Sequence, residues 1–243
     1  RLFDQMEGRR VTKTTATLRR PHAVLFDLDG TLIDSAPDLA ASVNIVLGLH
    51  GFMPLALPAV IAMIGNGIRK LVERAFAASG VTLSPSELDA AYDEMMQVYG
   101  GHLTVSTTLM DRARETMAAL AGAGVKLGVV TNKPQRLTET ILDHFGLSPL
   151  VGAVIGGDAG FERKPAPDML LAALARLGTA PGEAIMIGDS RADVESARAA
   201  KLPVVVVRGG YTTVLADDLG ADMVVDRLPE VLALLGAEGP VSG

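Results

Sequence analysis

The sequence predicts an α/β protein: a doubly wound, mostly parallel sheet flanked by helices, with an all-helical insertion after its first strand. Three observations carry that expectation. Short apolar runs recur from about residue 110 onward with helical stretches between them. Strand–helix–strand alternation implies right-handed crossovers and a parallel sheet covered on both faces, a Rossmann-like arrangement. One earlier strand, Val24-Leu25-Phe26, is separated from the rest by a stretch to about residue 103 with helical periodicity only. The β-branched run Val204–Val207 suits a strand buried on both faces.

The first strand stops on Asp27-Leu28-Asp29-Gly30-Thr31. Side chains two apart share a strand face, so these two acids would crowd each other and call for a cation or a shared proton. The insertion then opens with Pro37 ahead of Leu39, Val43, Val46 and Leu47, a helix expected to end near Gly51. Ile68, Leu71, Val72, Ala75 and Phe76 form a second stripe, stopped by Gly80. Ser84-Pro85-Ser86-Glu87 is a capping-box start, and Leu88, Tyr92, Met95, Met96 and Tyr99 continue it as a core-facing stripe. Later strands are expected at Lys126–Thr131, Ala153–Gly156, Ala184–Gly188, Val204–Val207 and Met223–Val225. Helices fall between them at Leu137–Phe145 and Pro167–Leu177, closed by Gly146 and Gly178.

Composition narrows the function. The chain has 243 residues, enough for a large α/β domain with a small second one. No apolar run reaches the roughly 18–20 residues of a membrane helix. A net charge of −6 disfavours wholesale binding to nucleic acid or an anionic membrane. The absence of cysteine excludes disulfides, zinc–thiolate and iron–sulfur sites and a cysteine nucleophile. A cytoplasmic protein is expected; oligomeric state is not legible. Residues 1–20 are basic and lack a signal-peptide core, reading as a disordered extension, and residues 237–243 as a frayed tail. Residues 21–34 and 104–236 form the expected core domain and 35–103 the helical insertion.

Four polar clusters fall at strand ends, where open α/β sheets bind ligands. They are Asp27-x-Asp29-x-Thr31, Thr131-Asn132-Lys133, Arg163-Lys164-Pro165 and Gly188-Asp189-Ser190-x-x-Asp193. Singly each is an ordinary turn or cap; together they supply the parts phosphoryl transfer needs. Magnesium takes hard oxygen ligands, which Asp27, Asp189 and the backbone carbonyl of Asp29 could provide. Lys164 would balance the negative charge, with Asp193 orienting it. Thr131 could donate to a phosphoryl oxygen. A carboxylate nucleophile would split hydrolysis into two steps through an aspartyl-phosphate, and a second acid would carry the proton. The histidines are scattered and no P-loop is present.

In order and residue type these clusters resemble those of the haloacid dehalogenase-like superfamily. The resemblance implies Asp27 as nucleophile, Asp29 as general acid/base, Thr131, Asn132 and Lys164 around the phosphate, and Asp189 as a Mg2+ ligand. It implies that the insertion is a mobile cap. Dehalogenases of this fold lack an acid at the position of Asp29, which favours a phosphatase or phosphomutase. Phe26 to Leu39, Ile64-Gly65-Asn66-Gly67 and Val129 to Pro134 resemble bacterial phosphoglycolate phosphatases more narrowly. Gly67 and Arg69 would then belong to a cap loop closing over a small phosphate ester bearing a carboxylate. Related phosphatases or mutases acting on a sugar phosphate, nucleotide or pyrophosphate are the near alternative, and a non-catalytic binding protein the distant one. Two departures from the family pattern stand out. Met110-Asp111-Arg112 replaces a Pro-Gly turn, and Lys201 replaces a helix-ending glycine, where a left-handed backbone costs a lysine about 1 kcal/mol.

Overall fold

The structure, a computed structural model, describes residues 20–237. The expected extension, apart from Arg20, and residues 238–243 of the expected tail lie outside the described residues. Ala237 does not fray: it is buried, and its N–H bonds to the Leu232 carbonyl at 2.9 Å.

Strand β1 (Ala23–Phe26) leads to β2 (Ile33–Asp34) and then to the insertion. The insertion holds α1 (Ala36–Leu49), α2 (Leu57–Ile61), α3 (Ile68–Ala78) and α4 (Pro85–Gly100). The chain returns through β3 (Thr108–Leu109) to α5 (Ala113–Gly122), β4 (Lys126–Val130), α6 (Gln135–His144) and β5 (Ala153–Ile155). It ends with α7 (Asp168–Leu177), β6 (Ala184–Gly188), α8 (Arg191–Ala199), β7 (Val204–Val207), β8 (Met223–Val225) and α9 (Val231–Leu234).

The main sheet has the order β5-β4-β1-β6-β7-β8, and every pairing in it is parallel. β1 is wholly buried and shows the period of two in its packing. Val24 and Phe26 join Met117, Leu120 and Ile141 of α5 and α6 on one face. Ala23 and Leu25 join Met169, Leu170 and Ala197 of α7 and α8 on the other. The first of these clusters runs on into the cap through Leu39, Leu71, Phe76 and Met95, so cap and core share one apolar interior.

Register then places the chemistry. Phe26 lies beside Val129 on one side and Ile187 on the other. Asp27, Thr131 and Asp189 therefore emerge together, just past the C-terminal ends of β1, β4 and β6.

Helices α2 and α9 escaped the sequence reading, and so did the antiparallel pair β2–β3, with Ile33 opposite Leu109 and Asp34 opposite Thr108. A two-residue strand is too short to show a period. The pair joins the segments by which the chain leaves and re-enters the core. Buried Asp38 reinforces that neck: its carboxylate accepts from the N–H groups of Ser106 and Thr107 and from the Thr107 hydroxyl at 2.7–2.9 Å. The capping box at Ser84 and Glu87 is formed.

Both anomalous residues adopt left-handed backbone, Arg112 at φ 51° and Lys201 at φ 60°. Behind Lys201 the Leu202 N–H bonds to the Ala197 carbonyl at 2.8 Å, the 6→1 bond of a Schellman helix end. Replacing Lys201 with glycine should relieve the steric cost and raise the unfolding free energy by about 1 kcal/mol. Urea titration of the two proteins checks this; an unchanged or lower midpoint would refute it.

Candidate active site

The loop after β1 is closed by backbone bonds from the Gly30 N–H to the Ile33 carbonyl and from Leu32 N–H to the Leu28 carbonyl, both 2.9 Å. Gly30 sits at φ 85°, and a Cβ there would lie 2.6 Å from Asp189 Oδ2. Only glycine satisfies both demands. The turn separates the two acids that the sequence suggested would crowd each other, and each meets its own lysine.

Asp27 Oδ1 accepts from Lys164 Nζ at 2.8 Å. The same ammonium donates to Asp193 Oδ1 at 2.7 Å and to the Val130 carbonyl at 2.8 Å, so all three of its N–H groups are in use. Asp29 Oδ1 accepts from Lys133 Nζ at 2.9 Å and from the Ser35 hydroxyl. Lys133 also donates to the hydroxyl of Tyr99, on cap helix α4, at 2.7 Å. Both lysines are almost fully buried. Burial alone would lower their pKa values. The adjacent carboxylates, Asp193 and Asp27 for Lys164 and Asp29 for Lys133, outweigh it and hold both above the usual lysine range.

Asp193 sits at the third position of α8 and completes a capping box with Ser190. Its Oδ2 accepts from the Ser190 N–H at 3.0 Å, the Ser190 hydroxyl at 2.6 Å and the Asp189 N–H at 3.2 Å. Gly188 allows this approach, since a Cβ there would fall 2.4 Å from Asp193 Cγ. Asp189 accepts from Thr31 Oγ1 at 3.2 Å and from the Tyr211 N–H at 2.7 Å.

Asp27, Asp189 and Asp193 each present a carboxylate oxygen within 4.8 Å of the other two. One ammonium among three carboxylates leaves two negative charges uncompensated. Burial, then repulsion from Asp193, pushes the Asp27 pKa up to about 7 against the pull of Lys164. Burial, then Asp193 and Asp27, raises that of Asp189 well above the carboxylate range. The donor set fits a hard divalent cation: Asp193 is tied to Lys164 through one oxygen and to three donors of its capping turn through the other, whereas Asp27 is bonded through Oδ1 alone and each Asp189 oxygen accepts a single bond, leaving lone pairs on both.

The acids open onto a cavity of about 40 Å³ between core and cap, walled on the cap side by Leu39, Ile64, Gly65, Gly67, Ile68 and Leu71. Thr131, Asn132 and Lys133 line it from the end of β4. Asn132 donates to the carbonyls of Gly65 in the cap at 3.1 Å and Lys164 in the core at 3.0 Å. Its amide N–H groups thus fasten the cap loop, where the sequence suggested a substrate contact. Its Oδ1 is buried without a hydrogen-bond partner. Gly67, at φ 86°, precedes α3 and passes close to the Asn132 carbonyl.

Arg69 is not brought to this site. It is half-buried and paired with Asp89, because one step along a helix from inward-facing Ile68 turns a side chain away from the cavity. Three participants went unassigned in the sequence: Lys133, Tyr99 and Tyr211. The Tyr211 hydroxyl accepts from the N–H groups of Ser35 and Ala36 at 2.7 and 2.9 Å and donates to Asp34 at 2.7 Å. Lys133 stood within a quoted cluster, but nothing in a sequence marks a lysine as buried; Tyr211 lies in a loop without periodicity.

Comparison with known proteins gives the chain a family. The family model described as haloacid dehalogenase-like hydrolase matches residues 24–207. A phosphoglycolate phosphatase of Caulobacter vibrioides is 39% identical over 208 residues, 86% of this chain and 88% of the relative. An N-acetylmuramic acid 6-phosphate phosphatase of Pseudomonas aeruginosa is 36% identical over 89% of this chain and 95% of its own. The crystal structure of a "predicted phosphoglycolate phosphatase" from Haemophilus somnus superposes with a TM-score of 0.84 at 30% identity, covering 89% of this chain and 99% of that one. With its strand-end acids, paired lysines and helical cap, the chain belongs to the haloacid dehalogenase-like hydrolases.

Proposed function

We propose that this protein is a phosphatase that hydrolyses a small phosphate monoester through an aspartyl-phosphate, with 2-phosphoglycolate as substrate and glycolate and phosphate as products. The observation that carries the reading is that Asp27 and Asp29 line one small cavity while each is held through a single oxygen by its own buried lysine. Lys164 occupies Oδ1 of Asp27, leaving Oδ2 to attack phosphorus. As the ester bond breaks, Asp29 gives its proton to the leaving alkoxide oxygen; it then takes a proton from the water that attacks the acyl phosphate and frees Asp27. Thr131 supplies a hydroxyl to the phosphoryl oxygens, and Asp193 keeps Lys164 aimed. Asp27, Asp189 and the Asp29 carbonyl would hold Mg2+, which when bound offsets the charge on the phosphoryl group and carboxylates.

The size of the cavity, with room for a few water-sized groups, and the names of the relatives support a small substrate. A second reading has its own observation. A groove of about 270 Å³ adjoins the cavity through Ile64, Gly65, Ser190 and Tyr211 and carries Arg191, Thr212 and Thr213. A sugar phosphate could extend there, as suits the likeness to the N-acetylmuramic acid 6-phosphate enzyme.

Phosphate release measured across 2-phosphoglycolate, sugar phosphates, nucleotides and pyrophosphate decides between them. The reading expects the highest kcat/KM for 2-phosphoglycolate; a clear preference for a sugar phosphate would replace it. Asp27→Asn should lower kcat by roughly 10^4-fold or more, the scale of losing a nucleophile, with an unchanged circular dichroism spectrum. Near-normal turnover would exclude the covalent mechanism. Stability should respond to pH in a defined sense. The folded pKa of Asp27, about 7, lies above its ordinary 3.8, so between those values the folded state keeps a proton the unfolded chain releases. The metal-free protein should therefore lose stability as pH rises through that window. Mg2+ should raise the unfolding temperature more at about pH 8 than at about pH 5, where protons compete for the same carboxylates. An equal shift at both would contradict the assignment.

A further inference from the structure

We propose that Lys133 is the specificity-determining residue of this site, its ammonium receiving the carboxylate that the substrate carries beside its phosphoryl group. This rests on the phosphoglycolate reading above and names the residue that would enforce it.

The argument is one of available charge. A carboxylate entering the cavity meets the aliphatic side chains of Leu39, Ile64, Ile68 and Leu71, and an ionised group in such surroundings needs a cation or several donors. Other cations are placed less well, Arg74 and Arg191 lining the adjoining groove rather than the cavity. Lys164 has its three N–H groups committed to Asp27, Asp193 and the Val130 carbonyl. Arg69 is turned outward to Asp89. Arg163 donates to the Gly157 carbonyl and is not among the residues lining the cavity. Lys133 lines it, and among the described residues is the one cation that does.

Its ammonium has three N–H groups. Asp29 and Tyr99 take one each, at 2.9 and 2.7 Å, which leaves the third for a ligand. The placement also suits the chemistry. Lys133 touches the residue assigned to protonate the leaving oxygen, and in 2-phosphoglycolate the carboxylate lies one methylene from that oxygen. A single lysine can therefore hold Asp29 and meet the group next to the scissile bond. Tyr99, buried in α4, keeps the long side chain from swinging elsewhere.

The test compares kcat/KM for 2-phosphoglycolate and 2-hydroxyethyl phosphate, in which a hydroxymethyl group replaces the carboxylate. The wild-type protein should prefer 2-phosphoglycolate. In Lys133→Met and Lys133→Gln both values fall, because Asp29 loses a partner, but the preference itself should shrink by roughly 30-fold or more, the scale of removing one partner of a desolvated charge pair. Lys133→Gln keeps a donor without the charge and serves if the methionine variant does not fold; Lys133→Arg should retain the preference. Equal losses on both substrates in well-folded variants would overturn the proposal and leave Lys133 as a support for Asp29 alone. A wild-type protein with no preference would instead defeat the phosphoglycolate reading, and the inference with it.

Discussion

The Lys164 ammonium is the point on which the site depends. It bonds Asp27 from the end of β1, the Val130 carbonyl from the end of β4, and Asp193 from α8. Three elements that meet only in the folded sheet are tied by one buried cation, and each partner restricts where the others sit. A buried charge without its partners is strongly destabilising, so the ammonium and its carboxylates stand or fall together. The pairing is nevertheless incomplete, since Asp189 adds a third carboxylate to the cluster. The raised pKa values of Asp27 and Asp189 express that surplus negative charge. Surplus negative charge of this kind is what the proposed Mg2+ would offset.

The second lysine resolves a different problem. In the proposed mechanism, a nucleophile and an acid two residues apart must not share one proton if they are to play different roles. The turn at Gly30 sends them to separate cations, Asp27 to Lys164 and Asp29 to Lys133. Lys133 then reaches Tyr99 in α4, while its neighbour Asn132 reaches the Gly65 carbonyl. Two consecutive residues at the end of β4 thus join the acids of the first strand end to the cap, and the cavity takes its apolar wall from cap residues.

Much of this was legible because strands report themselves. The apolar runs gave the sheet, and the polar residues that end them fell at one edge once register aligned Phe26 with Val129 and Ile187. The contact of Asp193 with Lys164 also followed from their types and positions. What escaped depended on direction or burial, which spacing does not encode. Arg69 follows Gly67 closely in sequence, yet helical rotation carries it outward while Ile68 and Leu71 face in. Tyr99 read as a core residue and is one, but its hydroxyl has a cationic partner. Lysine is almost never buried, so nothing in the sequence distinguished Lys133 from a solvated surface residue.

The central claim is that the carboxylate cluster is short of positive charge and holds protons in place of a metal. Calorimetric titration of Mg2+ into metal-free protein at about pH 6, repeated in buffers of different ionisation heat, counts those protons. With the pKa of Asp27 at about 7 and that of Asp189 raised as well, binding should release protons to the buffer. Binding with no net proton release would contradict the account.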